Sequence, residues 1–316
     1  MAWLEFTVKT AAHTCADVAA ALTARGFADL VIEDQQELEG FLEDNRAYWD
    51  YIDEDLQEKL QGLSQIKLYL EDTDSAGMER LEKAVEELNL VMKVAALPET
   101  NWEESWKDNY PPQEIGEKIV ILPYWLAGTE GDRLPVILDP GLTFGTGAHP
   151  STQMVMEQME KTVKPGFRCL DLGSGSGILS ITALRLGASR AIGVDIDPKA
   201  EDIARENAGY NGFSSPEFTA LTGNVTQDQA LMAKLEAGQY DLVLVNIVAD
   251  VIIALAPVLP KFLGPQSQLI CSGILDSRLD DVLQALHQAG LEVTALRSKE
   301  EWRCVQAQKT SRPSGQ

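Results

Sequence analysis

Three glycines on alternate positions follow an acid in Asp171-Leu172-Gly173-Ser174-Gly175-Ser176-Gly177. Glycine at this spacing lets the backbone turn sharply and lie against a ligand, with the start of the next helix adding its dipole. The dinucleotide fingerprint G-x-G-x-x-G needs a glycine at 178, where Ile178 stands, which weakens a pyrophosphate reading. Twenty-two residues after Gly173 comes Asp195, in Gly193-Val194-Asp195-Ile196-Asp197-Pro198. An acid at the end of the second strand can accept both hydroxyls of a ribose. Asp197, just before Pro198, reads as a helix cap. Asn224 reads either as a partner of a base edge or as a turn residue.

These residues need a scaffold that brings strand ends together. From about residue 150 the chain alternates helix and strand. Helices are expected near 151–162, 177–187, 198–211, 248–263 and 276–289, and strands at 168–172, 191–195, 217–222, 240–246, 268–273, 291–297 and 302–308. Such alternation predicts a parallel, doubly wound sheet with one late antiparallel strand. Ahead of it, Leu4, Phe6 and Val8 alternate with polar residues, Cys15, Val18 and Leu22 recur at helical spacing, and Leu30 to Ile32 form a second apolar run. The pattern repeats in Ile66, Leu68 and Leu70, in Met78, Leu81, Val85 and Leu88, and in Val91 to Leu97. Two β-α-β units of this size predict a ferredoxin-like α+β domain. The expected boundaries are 1–98 for that domain, 99–138 for a linker with Trp102, Trp106 and two lead-in strands, 139–309 for the doubly wound domain, and 310–316 for a disordered tail.

A second glycine-rich segment precedes the sheet: Asp139-Pro140-Gly141-Leu142-Thr143-Phe144-Gly145-Thr146-Gly147-Ala148-His149-Pro150-Ser151-Thr152. Alone it reads as a multi-turn connection or as a cover over a ligand. The D-x-G-x-G-x-G loop resembles motif I of class I S-adenosylmethionine (SAM) methyltransferases. The 139–152 segment resembles the signature DPGxAFGTGxHxTT of the bacterial ribosomal protein L-eleven methyltransferase family. Gly173 to Ile181, Asn246-Ile247-Val248-Ala249, Ser272-Gly273-Ile274-Leu275 and Glu301-Trp302 are similar to further segments of that family. Thr143, Ala148, Ser151 and Ser174 depart from its pattern by small swaps, and the acidic insert of the first domain is less typical.

The resemblance implies a class I SAM-methyltransferase Rossmann-like sheet with a smaller N-terminal ferredoxin-like domain that recognises substrate. It also implies SAM as cofactor, contacted by Thr152, Gly173, Asp195 and Asn246, and transfer to amino groups of ribosomal protein L-eleven, lysine side chains or the N-terminal amine. No metal is expected. Thr152 also reads as the cap of the helix that follows it, and Phe144 as either a ligand contact or a core residue. Methyl transfer from a sulfonium is an in-line displacement that needs alignment and exclusion of water. An amine must arrive neutral, which desolvation favours, so no dedicated base is required. Asn246 is the expected catalytic residue, its oxygen accepting N–H bonds from the amine; the plainer reading is an Asn that closes a strand. His149 reads as a turn former or a proton acceptor.

The 316 residues carry 26 Lys+Arg against 49 Asp+Glu, a net charge of -23. Such a field repels nucleic acid phosphates and anionic membranes and favours a basic partner. The charge is uneven, with 25 acids and 9 bases before residue 111, a net of -16, against -7 for the rest. Between Glu33 and Glu58 eleven acids face only Arg46. This run reads either as a solvated face or as a surface for a basic partner. Cys15, Cys169, Cys271 and Cys304 are widely spaced in apolar runs and read as buried free thiols of a reducing compartment. The N-terminus lacks the pattern of a signal peptide, and 242–259 is too polar for a membrane span, so the expectation is a cytoplasmic protein, acting as a monomer. Two alternatives stay open: a methyltransferase for another protein or a small amine, and a SAM-binding scaffold without turnover. Neutralising several acids between Glu33 and Glu58 is expected to weaken binding of a basic substrate in a salt-dependent way while leaving SAM binding untouched. Titrations at two ionic strengths check this, and unchanged substrate affinity assigns the run to a solvated face.

Overall fold

The computed structural model describes residues 3–10, 14–27, 30–34, 64–96, 107, 110–140 and 147–310. Most of the acidic insert, Trp102, Trp106, Phe144 and the tail from 311 lie outside the described residues. Chain contacts divide the molecule into two units, Met1–Asn109 and Tyr110–Gln316.

The first unit runs β1 (Trp3–Lys9), α1 (Cys15–Thr23), β2 (Val31–Asp34), β3 (Ser64–Glu71), α2 (Ser75–Glu87) and β4 (Val91–Ala96). Thr14 and Asp74 cap the two helices by accepting from the backbone N–H groups of Asp17 and Gly77. The strand order is β2-β3-β1-β4 with every pair antiparallel, the split β-α-β arrangement expected from the alternation. Phe6, Val8, Ile66 and Leu68 point to one face of the sheet. There they bury against Val18, Leu22, Leu81 and Val85.

The second unit opens with a small sheet of β5 (Gln113–Ile115), β6 (Ile119–Pro123) and β7 (Leu134–Leu138), in that order. It continues with α3 (Pro150–Thr162), β8 (Arg168–Leu172), α4 (Ile178–Arg185), β9 (Arg190–Asp195), α5 (Pro198–Tyr210), β10 (Phe218–Thr222), α6 (Gln229–Glu236) and β11 (Tyr240–Asn246). It ends with α7 (Ala249–Leu255), α8 (Leu259–Phe262), β12 (Leu263–Leu275), α9 (Leu279–Gln288), β13 (Leu291–Lys299) and β14 (Trp302–Lys309). The large sheet has the order β10-β9-β8-β11-β12-β14-β13. Its first five strands pair in parallel, and β14 is antiparallel to both neighbours. Leu242 to Val245 are wholly buried, as befits a central parallel strand covered on both faces.

One expected element is divided. The helix expected over 248–263 is α7 and α8, separated at Ala256–Val258. Pro257 supplies no N–H to the helix ladder, and Val258 turns back to Leu255 O at 2.9 Å. The four cysteines are buried and free, and no described helix is long and apolar enough to cross a membrane.

The sheet reverses its winding between the neighbours β8 and β11, so a crevice opens at their carboxyl ends. Beneath that crevice lies Asp171 on β8, 1% exposed. Its Oδ2 accepts from the backbone N and the hydroxyl of Ser180, at 3.1 and 2.8 Å, tying the strand to α4. Its Oδ1 finds no partner among the described residues. Burial pushes its pKa up to about 7, against the pull of the two Ser180 bonds. Between pH 3.8 and about 7 the folded chain therefore holds a proton that the unfolded chain has released. Stability falls as pH rises through this window and flattens above it. Asp171→Asn is expected to remove that slope, so that urea midpoints of variant and parent diverge in the variant's favour from pH 4.5 to 7. Parallel midpoint curves would assign Asp171 an ordinary carboxylate pKa.

Candidate functional site

The glycine turn begins where β8 ends. Gly173 has φ +77, and a Cβ there would stand 2.4 Å from Cγ2 of Ile247. Any side chain would drive the turn off the end of β11. The N–H groups of Gly173 and Ser174 both bond Val194 O, at 2.8 and 3.1 Å, folding the turn over β9. Gly177, φ +78, starts α4 without a side-chain cap and lets α5 approach, its missing Cβ being only 3.0 Å from that of Ala204.

Asp195 closes β9 beside the turn. Its Oδ2 accepts from Gly175 N at 2.8 Å and its Oδ1 from Asp197 N at 3.0 Å. Two backbone bonds fix the carboxylate, and each oxygen keeps a lone pair for a further donor such as a ribose hydroxyl. Asp197 caps α5 through Lys199 N, as expected. Asn224 is a turn residue, its Oδ1 taking both the N–H and the hydroxyl of Thr226.

Asn246 ends β11, next to the turn because Val245 pairs with Leu172. Its Nδ2 donates to the hydroxyl of Thr152 on α3, 3.0 Å away and 94 residues earlier. Its Oδ1 is buried with no hydrogen-bond partner among the described residues. The structure thus brings Thr152 and Asn246 into direct contact, and Gly173 and Asp195 together along the glycine turn. Thr152 is not the cap of α3. That position belongs to His149, whose Nδ1 accepts from Ser151 N and lies 2.7 Å from its hydroxyl. The His149 ring packs edge-on against Trp302, 4.5 Å between centroids. Burial holds its pKa below the usual histidine range against the opposing pull of Glu301 and Glu300. A capping nitrogen committed to the helix start explains His149 without proton transfer.

Ile247, which the sequence offers only as part of the Asn246 to Ala249 segment, is the wedge of the site. It blocks a side chain at Gly173, its N–H bonds Ser272 O at 3.1 Å, and its carbonyl would lie 2.4 Å from a Cβ on Gly273, φ +81. Gly173 and Gly273, each closing an apolar run, are the signal the sequence carries.

The residues present fit SAM. The turn offers backbone at close range with no side chain in the way, the acid at the end of β9 is poised for hydroxyl donors, and an unfilled buried acceptor stands beside them. Comparison with known proteins agrees. Residues 2–310 match the family model described as ribosomal protein L11 methyltransferase (PrmA). The chain is similar to the ribosomal protein L11 methyltransferases of Alkaliphilus oremlandii, 34% identical over 96% of this chain and 98% of that one, and of Heliobacterium modesticaldum, 35% identical over 98% of each. Among solved structures it resembles the ribosomal protein L11 methylase of Lactobacillus delbrueckii subsp. bulgaricus, with a TM-score of 0.57, 30% identity, and coverage of 64% of this chain and all of that one. With the match running through both units and through the glycine turn itself, the chain belongs to the ribosomal protein L11 methyltransferase family.

Proposed function

We propose that this protein transfers methyl groups from SAM to amino nitrogens of ribosomal protein L11, lysine side chains or the N-terminal amine, with Asn246 aiming the amine. The observation that carries the reading is the buried Oδ1 of Asn246 at the mouth of β11, which has no hydrogen-bond partner among the described residues. A buried acceptor without a donor carries a desolvation cost that an N–H brought by substrate would relieve. SAM supplies the electrophilic methyl group. Gly173 would give it a close backbone wall, and Asp195 would accept its ribose hydroxyls.

The nucleophile must be a neutral amine, and free lysine has a pKa of about 10.4. Desolvation at the buried strand end disfavours the ammonium form. Asn246 Oδ1 then accepts one N–H of the amine, which leaves the lone pair directed away from the carboxamide. Thr152 accepts from Nδ2, which commits that nitrogen and leaves Oδ1 as the end of the carboxamide that can receive the amine. The net charge of -16 over the first 110 residues suits capture of a basic protein, supporting the first unit as the substrate-recognising part.

Incubation with methyl-labelled SAM and a ribosomal protein extract is expected to label L11, with mass spectrometry locating the modified amines. Label on another protein or on a small molecule alone would replace the substrate. Asn246→Ala is expected to lower kcat by about 100-fold or more while SAM affinity stays within about tenfold. Thr152→Val frees the carboxamide to rotate and is expected to cost about tenfold in kcat, from loss of one buried hydrogen bond. Full turnover in Asn246→Ala would remove the residue from the mechanism.

A further inference from the structure

Two asparagines four residues apart are buried, Asn207 wholly in the last turn of α5 and Asn211 nearly so at its C-cap. Asn is not a favoured residue inside a helix, where Asn207 stands, and each of the two spends its carboxamide on a different chain segment. Asn211 treats Ile137 of β7 as a neighbouring strand would, its Oδ1 accepting from Ile137 N at 3.0 Å and its Nδ2 donating to Ile137 O at 2.7 Å. Asn207 does something else. Its Oδ1 accepts from Asp139 N at 2.9 Å, where the chain leaves β7, and its Nδ2 donates to Ser176 O at 2.9 Å, inside the glycine turn.

We propose that Asn207 is a positioning residue for the cofactor: it registers the glycine turn against the end of β7 without touching the ligand. Ser176 lies between Gly175, φ +48, and Gly177, φ +78, where the backbone has few steric preferences of its own. The turn is therefore held from outside. Asp195 takes the Gly175 N–H on one side, and Asn207 holds the Ser176 carbonyl on the other. A carboxamide is planar and rigid, so the span between Asp139 N and Ser176 O is set by one group. Loss of it leaves the Ser176 carbonyl without this donor and lets the turn relax away from the shape that receives SAM.

Asn211 provides the internal control. It shares the residue type and the burial and sits one turn further along, at the C-cap of α5, but its partners are Ile137, Arg185 and the Asn207 carbonyl, none of them in the glycine turn. The inference rests on SAM lying over the glycine turn, and the experiment separates the two ideas. SAM dissociation constants are measured by calorimetry on the full chain for the parent, N207A, N207D and N211A, with Tm recorded for each. Asp at 207 keeps an acceptor for Asp139 N–H but sets an oxygen against the Ser176 carbonyl. N207A and N207D are expected to bind SAM about tenfold more weakly, the equivalent of one buried hydrogen bond. N211A is expected to bind within about twofold of the parent although its Tm falls at least as far. If N207A does not fold, N207D against N211A decides. Parent-like affinity in the Asn207 variants, or an equal loss in N211A, overturns the proposal. A parent that binds no SAM overturns the functional reading instead.

Discussion

The site depends on a steric constraint at the winding reversal of the large sheet. Ile247 fills the space between the ends of β8 and β12, and only residues without a Cβ can pass it, at Gly173 on one side and Gly273 on the other. That close approach lets the backbone fold from β8 over β9, which presents Gly175 N to Asp195 and starts α4 under the turn. Each later feature of the site inherits its position from this contact. The parallel core strands beneath it supply the rigidity, since Leu242 to Val245 are packed on both faces and cannot shift without opening the core.

Carboxamides do the positioning above that core. Asn246 reaches Thr152, Asn207 reaches Asp139 and Ser176, and Asn211 pairs with Ile137 as an extra strand would. An amide side chain carries a donor and an acceptor in a fixed plane and no charge, so it can satisfy buried backbone groups at little desolvation cost. Charged groups are handled differently. Asp195 is anchored by two backbone N–H groups at the crevice, and Asp171 is kept below it with one oxygen satisfied by Ser180 and the other without a partner among the described residues. The acid at the crevice stays partly exposed, and the one that ties β8 to α4 is sealed.

Much of this is legible in the sequence. The alternation after residue 150 predicts the sheet, because parallel strands buried on both faces read as short apolar runs between amphipathic helices. The antiparallel final strand and the split β-α-β order of the first unit follow from the same periodicities. Gly173 and Asp195 are readable because their chemistry is local, a turn without side chains and an acid one strand later. The helix over 248–263 misleads because apolar periodicity continues across Pro257, where the missing N–H breaks the ladder. Thr152 misleads as a cap because the capping role passes to a histidine three residues earlier, an uncommon cap whose ring is steadied by Trp302, 153 residues away.

Spacing along the chain therefore determined the two-unit architecture, the glycine turn, its acid, and the family whose signature these residues carry. Tertiary structure alone decided which atoms meet. That Thr152 accepts from the Asn246 carboxamide, that Ile247 demands glycines at 173 and 273, and that Asn207 joins the glycine turn to the end of β7 are contacts between residues 26 to 94 positions apart. Periodicity reports which face of an element is buried, because burial is a property of each residue alone. Hydrogen-bond partners are a property of pairs, and the pairs exist only once the sheet has set its strands in register.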